Sequence, residues 1–153
     1  MSPPEHPDTA RDTAPDPGRA AELRLAVGRL RSRERRARFP VTFHLGVLGG
    51  PCEAYAVPPE DAEVLDAALR IDLAGRLLEA HRSRTAPAGA EVVVWLTRPG
   101  EPTPQDVDLA WMAATEVALT AAGAPAADCY AITRSGWLDV RTGTSRTWTR
   151  LRL

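Results

Sequence analysis

Thr97-Arg98-Pro99-Gly100 and Thr133-Arg134-Ser135-Gly136 repeat one four-residue pattern, and each closes an apolar run: Val92-Val93-Val94-Trp95-Leu96 before the first, Cys129-Tyr130-Ala131-Ile132 before the second. Two hydroxyls and two guanidiniums brought together would make a cradle for an anion, because a guanidinium presents paired donors in the geometry a carboxylate accepts. They meet if the two runs are neighbouring parallel strands joined by the helical stretch between them. Both corners then leave the sheet at the edge where open α/β sheets bind ligands. The amides after Thr103 would face the same rim. Thr97, Arg98, Thr133 and Arg134 are therefore the candidate ligand-binding residues. Asp106 and Asp108 compete for the two arginines, and pairing is the commoner fate of a surface guanidinium.

A second constellation lies in the charge pattern. Residues 18–38 are strongly basic, 41–133 acidic, and 134–153 basic again. If the first and last of these segments share one side of the molecule, Arg31, Arg35, Arg146, Trp148, Arg150 and Arg152 form an interaction surface. Trp137 would add a second flat ring to it, a mixture that suits single-stranded nucleic acid. The competing arrangement has the arginines neutralise the acidic middle within the fold, with Trp148 stacked under Arg146 or Arg150. A formal net charge of -1 argues against phosphate binding as the main task.

Other chemistries are excluded by residue type. The chain contains no Lys and no Asn. There is thus no Walker A loop, no Schiff-base amine and no N-linked glycosylation acceptor. His44, His81, Cys52 and Cys129 do not stand at metal-ligand spacings. Glu60-Asp61 begins a helix, Asp106 and Asp108 are two residues apart and point to different faces of theirs, and neither pair has a nearby His. No Ser sits in a nucleophile elbow. No catalytic residue, metal ligand or cofactor is assigned. The two cysteines are too few and too far apart for a disulfide scaffold, and both read as small buried hydrophobes. Without a leader-like or membrane-length apolar run, the expected setting is a reducing cytoplasm, with no membrane partner.

Periodicity assigns the helices and strands that hold these residues. Residues 1–17, rich in Pro, Asp and Thr, read as a disordered tail. Within 18–38, Leu23, Val27 and Leu30 make a narrow apolar stripe on a basic helix, which Phe39-Pro40 must end. The stretch 41–57 alternates as a hairpin around Gly49-Gly50-Pro51, with His44 on the face away from the core. A helix over 60–82 carries Leu65, Leu69, Leu73 and Leu77 every fourth residue as its core stripe. A loop over 85–90 leads to a strand over 91–97, apolar throughout and so expected to be covered on both faces. The helix over 103–122 starts at Thr103-Pro104 and buries Val107, Ala110, Trp111, Ala114, Ala118 and Ala121. Strands fill 128–153, the last alternating from Arg146 onward.

This pattern predicts one compact α/β domain over 18–153. Its mixed sheet has five or six strands: a hairpin first, a parallel strand-helix-strand unit at the centre and antiparallel strands last. The two later helices cover one face, and the basic helix packs elsewhere on the body. The function expected is a non-enzymatic binding or accessory module engaging a protein partner or small acidic ligand through its arginine-rich surface. A nucleic-acid binder using helix 18–38 and the Arg/Trp face of the last strand is the alternative. An enzyme at the Thr97-Arg98/Thr133-Arg134 strand ends comes third.

Overall fold

The structure of the protein, a computed structural model, describes residues 14–84 and 91–152. Of the tail expected over 1–17, residues 1–13 lie outside the described residues, as do the loop over 85–90 and Leu153; Asp16 and Pro17 instead cap and begin the first helix. The chain forms helix α1 (Pro17–Arg33), strands β1 (Thr42–Gly46) and β2 (Cys52–Ala56), a short 3₁₀ turn (Pro59–Asp61), helix α2 (Ala67–Arg84) and strand β3 (Val93–Thr97). Helix α3 (Asp106–Ala121) and strands β4 (Cys129–Ile132), β5 (Gly136–Asp139) and β6 (Ser145–Thr147) complete it. The strands make one six-stranded sheet in the order β2-β1-β3-β4-β5-β6.

Only β3 and β4 are parallel, with Val94 opposite Cys129 and Thr97 opposite Ile132. α3 is their crossover. Beyond the strand ends, the Arg98 amide donates to the Ile132 carbonyl at 3.1 Å, so both Thr-Arg corners leave the same edge side by side.

Sixteen buried residues on one face of the sheet form a core with α2 and α3, in which Phe43 and Trp111 stack with ring centroids 4.4 Å apart. On the other face, Leu23, Val27 and Leu30 of α1 pack on Val93, Trp95, Tyr130, Ile132 and Trp137. This explains why β3 and β4 are apolar without alternation: helices lie on both sides of them. α1 runs in the direction of the parallel pair. Near its start Arg19 reaches Glu91 at 3.1 Å, and near its end Arg31 reaches the Arg134 carbonyl at 2.8 Å.

Several expected boundaries differ, each for a local reason. The helix expected over 18–38 ends at Arg33, because Leu30 is its last apolar anchor and the Glu34 amide closes it on the Leu30 carbonyl. The helix expected over 60–82 begins at Ala67. Pro58 and Pro59 favour the 3₁₀ turn, and the Asp66 carboxylate then accepts from the Leu69 amide at 2.8 Å as the true start. The four-residue leucine stripe therefore holds in part: Leu65 is buried and Leu73 and Leu77 pack against the core, but Leu69 is 45 % exposed and the fully buried positions of α2 are Ala74, Leu78 and His81. The helix expected over 103–122 starts at Asp106, capped by Gln105 rather than Thr103.

The last strand stops at Thr147 instead of running to the end of the chain. A bend at Thr149 and Arg150 lets Trp148 and Leu151 both pack against the α1-side cluster, which a straight strand would not allow at that spacing. Cys129 is buried as expected, with burial foremost in pushing its thiol up to about 12. Cys52 is exposed, contrary to expectation, because it faces outward on the edge strand β2. Among the described residues no helix is long and apolar enough to cross a membrane.

Candidate functional site

The rim is built from two corners with the same sequence pattern and different chemistry. At the first, Arg98 is 1 % exposed. Its Nε and Nη2 donate to the two Asp108 carboxylate oxygens at 2.7 and 2.8 Å. Nη1 donates to the carbonyls of Pro99 and Glu101 at 3.1 and 3.0 Å, and Nη2 also to the Thr103 carbonyl at 2.9 Å. A guanidinium has five N–H groups, and all five are used. Arg98 therefore folds the loop between β3 and α3 around itself. It has no donor left for a ligand. Asp108 does absorb an arginine, as its place in the sequence suggests, but as a buried bidentate pair and not a surface one.

Asp108 has a second task. Its Oδ2 accepts from the Gln105 amide at 3.0 Å, one half of a reciprocal capping box that Gln105 completes. The capping box thus takes the Gln105 and Asp108 amides at the start of α3 with the chain's own side chains, so those two do not face an anion as expected. Thr97 is likewise engaged. Its Oγ1 lies 3.1 Å from His44 Nε2, and the His44 ring stacks on Trp95 with centroids 5.1 Å apart and planes 2° from parallel. His44 does not stand on an open face: β1 is covered on both sides there and the residue is 9 % exposed. Burial, helped by the Arg33 charge, holds its imidazole down to about 4.

The second corner is arranged otherwise. Thr133 Oγ1 accepts from the Ser135 and Gly136 amides at 3.3 and 3.2 Å and bonds to the Gly136 carbonyl at 3.2 Å. The hydroxyl shapes its own tight turn into β5. Gly136 has no alternative there, since a Cβ would stand 2.0 Å from the Arg146 carbonyl oxygen of β6. Arg134 is half-buried, and its Nε has no hydrogen-bond partner among the described residues.

Arg134 lines a concavity of about 420 Å³ with Arg31, Phe39, Pro99, Glu101 and Ser135. The Glu101 carboxylate on its rim accepts from the Ser135 hydroxyl at 3.0 Å. Arg31 gives Nε to the Arg134 carbonyl and Nη2 to the Trp148 carbonyl at 3.1 Å, tying α1 to both C-terminal segments. Of the four expected ligand-binding residues, Arg134 alone keeps an uncommitted donor.

Glu101 is the acid on the rim of this concavity, and the segment that lines it through Ala37 and Phe39 is rich in arginine. Arg29, Arg33, Arg35, Arg36 and Arg38 are exposed and have no carboxylate partner among the described residues. Among the described residues, Arg19 alone in the first basic segment pairs with acids, Glu22 and Glu91. Of the C-terminal group, Arg146 lies over the Trp148 ring at 5.5 Å, and the Arg152 carbonyl accepts from Arg24. Arg150 is exposed, while Trp137 is 3 % exposed and belongs to the interior. No His, Cys, Asp or Glu cluster among the described residues could hold a metal ion. No protein-family model, curated protein or solved structure matches the chain.

Proposed function

We propose that this chain is a non-enzymatic binding module whose basic end, the Arg134 concavity with Arg33, Arg35, Arg36 and Arg38 beside it, engages an acidic protein surface or small acidic ligand. The observation that carries the reading is the difference in satisfaction between arginines on one rim. Arg98 is saturated by five bonds, whereas the Arg134 side chain lines a concavity with no acceptor bound to it and the four exposed arginines have no acid to answer them among the described residues. The enzyme reading loses the residue it most needed, since Arg98 cannot turn toward a substrate without abandoning Asp108.

A nucleic-acid partner draws on the same arginines together with Arg146, Arg150 and Arg152. It is the weaker reading because Trp148, the ring a base would stack on, is packed against the α1-side cluster with Arg146 over it. Fluorescence anisotropy separates the two. A labelled oligo-glutamate peptide and a labelled single-stranded oligonucleotide are each titrated with the full chain at low and high salt. The binding module predicts saturable peptide binding that Arg134→Gln weakens about tenfold. Tight, steeply salt-dependent binding of the oligonucleotide alone would favour the alternative, and binding of neither probe would reject both.

A further inference from the structure

The far end of α1 carries the opposite charge. Where the helix begins, Asp16, Glu91, Asp128 and Asp139 surround a depression of about 240 Å³ in which Arg19 is the one lining cation. Part of this acid is already engaged: Asp16 accepts from the Arg19 amide, Glu91 from the Arg19 guanidinium, and Asp139 from the Arg141 and Thr142 amides. The Asp128 carboxylate has no hydrogen bond or ion pair among the described residues.

Tyr130 forms part of the wall. The residue is 2 % exposed and its ring meets Trp137 edge-on at 6.4 Å, yet its hydroxyl has no hydrogen-bond partner among the described residues. Burial, reinforced by Asp128 and Asp139, raises its pKa, so the phenol stays neutral and its oxygen can accept. These groups do not converge closely enough for a metal ion. A guanidinium, planar and with five donors, matches spare carboxylate oxygens flanked by a phenol.

The molecule therefore has an acidic end and a basic end with almost no net charge. A helix of 17 residues separates them by about 25 Å, too far for one copy to join its own ends. We infer that the acidic depression is a docking site for the arginine segment 33–38 of a second copy, giving head-to-tail association of this chain. The inference rests on the proposed acidic partner for the basic end and names it. Such an interface uses two different surfaces, so each copy keeps one of each free and the assembly grows or closes into a ring.

Sedimentation velocity of the full chain tests this. At about 0.01 M salt, where the Debye length is about 30 Å, species heavier than one chain form in proportion to concentration; at about 1 M, where it is about 3 Å, they dissociate. Arg35→Glu with Arg36→Glu destroys the basic end and Asp128→Arg the acidic end, both at exposed positions. Each variant alone is monomeric, and an equal mixture gives a one-to-one heterodimer, because one intact end remains on each. Tyr130→Phe keeps the ring and weakens association roughly tenfold. A wild-type chain monomeric at low salt overturns the inference, as does association that either variant retains alone or a mixture that fails to pair. If the wild type stays monomeric while oligo-glutamate binds the basic end, this inference falls and the proposed function stands. If neither occurs, both fall.

Discussion

The corners at 97–100 and 133–136 end neighbouring parallel strands and differ only in their third residue, yet their arginines have opposite surroundings. The connection leaving each corner decides this. After Gly100 the chain must cross to the start of α3, and Arg98 becomes the post around which that loop closes, anchored by Asp108 of the capping box. The second corner turns within Thr133 to Ser135 straight back into β5, so no loop wraps Arg134, and its Nε is left without a partner among the described residues. A short motif does not determine a residue's role; the length and path of the next connection do.

The largest effect should come from opening the first corner. Asp108→Asn leaves the Arg98 guanidinium buried beside a neutral amide and replaces one of the two acceptor oxygens by an NH2 group that faces an Arg98 or Gln105 donor, and it should cost about 3–5 kcal/mol in urea unfolding. A loss below about 1 kcal/mol would mean that Arg98 is hydrated and the two corners are alike.

His44, bonded to Thr97 of the first corner, gives a pH signature that the second corner lacks. With an imidazole held down to about 4 in the folded state and near 6.5 when unfolded, the unfolded chain binds more protons between those values. The His44 contribution, about 3 kcal/mol, is therefore fully present above pH ~6.5 and is lost as pH falls toward ~4. Urea midpoints tracked from pH 7 to 5 should fall in the wild type and flatten in His44→Gln, the difference between the two isolating His44 from the carboxylates.

A smaller penalty marks the second corner. Gly136→Ala must push β5 from the Arg146 carbonyl and should cost about 1–3 kcal/mol in unfolding, with loss of protection at the amides that join β5 and β6. The smallest change belongs to Arg134→Gln, which should alter stability by no more than about 0.5 kcal/mol, since no hydrogen bond of the Arg134 side chain is broken.

Much of this fold was legible in the residues. Glycines and alternation marked the first hairpin, unbroken apolar runs marked the two central strands, and the chain between them had to cross over, which fixed their parallel sense. Trp111 stood out as the anchor of an otherwise small-residue helix. Boundaries were less legible. The Leu65 to Leu77 spacing resembled one long stripe because periodicity alone does not show that Pro58, Pro59 and Asp66 delay the helix, and a delayed start leaves Leu69 facing water. Alternation from Arg146 onward resembled a strand, but Trp148 and Leu151 gain more by turning onto α1 together.

The site was half legible. Asp106 and Asp108 were both recognisable as competitors for the arginines, but a helix start expected at Thr103 put Asp106 at the third position, and the cap at Gln105 gives that position to Asp108. The burial of Asp108 was not legible, because that depends on how tightly Pro99 to Thr103 closes over the pair. The acidic depression had no signal in the sequence at all. Asp16, Glu91, Asp128 and Asp139 are scattered along the chain; the register of β3, β4 and β5 brings the last three to one edge of the sheet, and the direction of α1 adds Asp16.

Arginine Nε–H resonances read both corners at once. In the full chain, with signals assigned by their loss in Arg98→Lys and Arg134→Lys, oligo-glutamate should shift the Arg134 Nε–H progressively to saturation. The Arg98 Nε–H, held by Asp108, should stay in place and exchange slowly with solvent. Movement of the Arg98 signal, or an Arg134 signal indifferent to the peptide, would contradict the division of labour between the two corners.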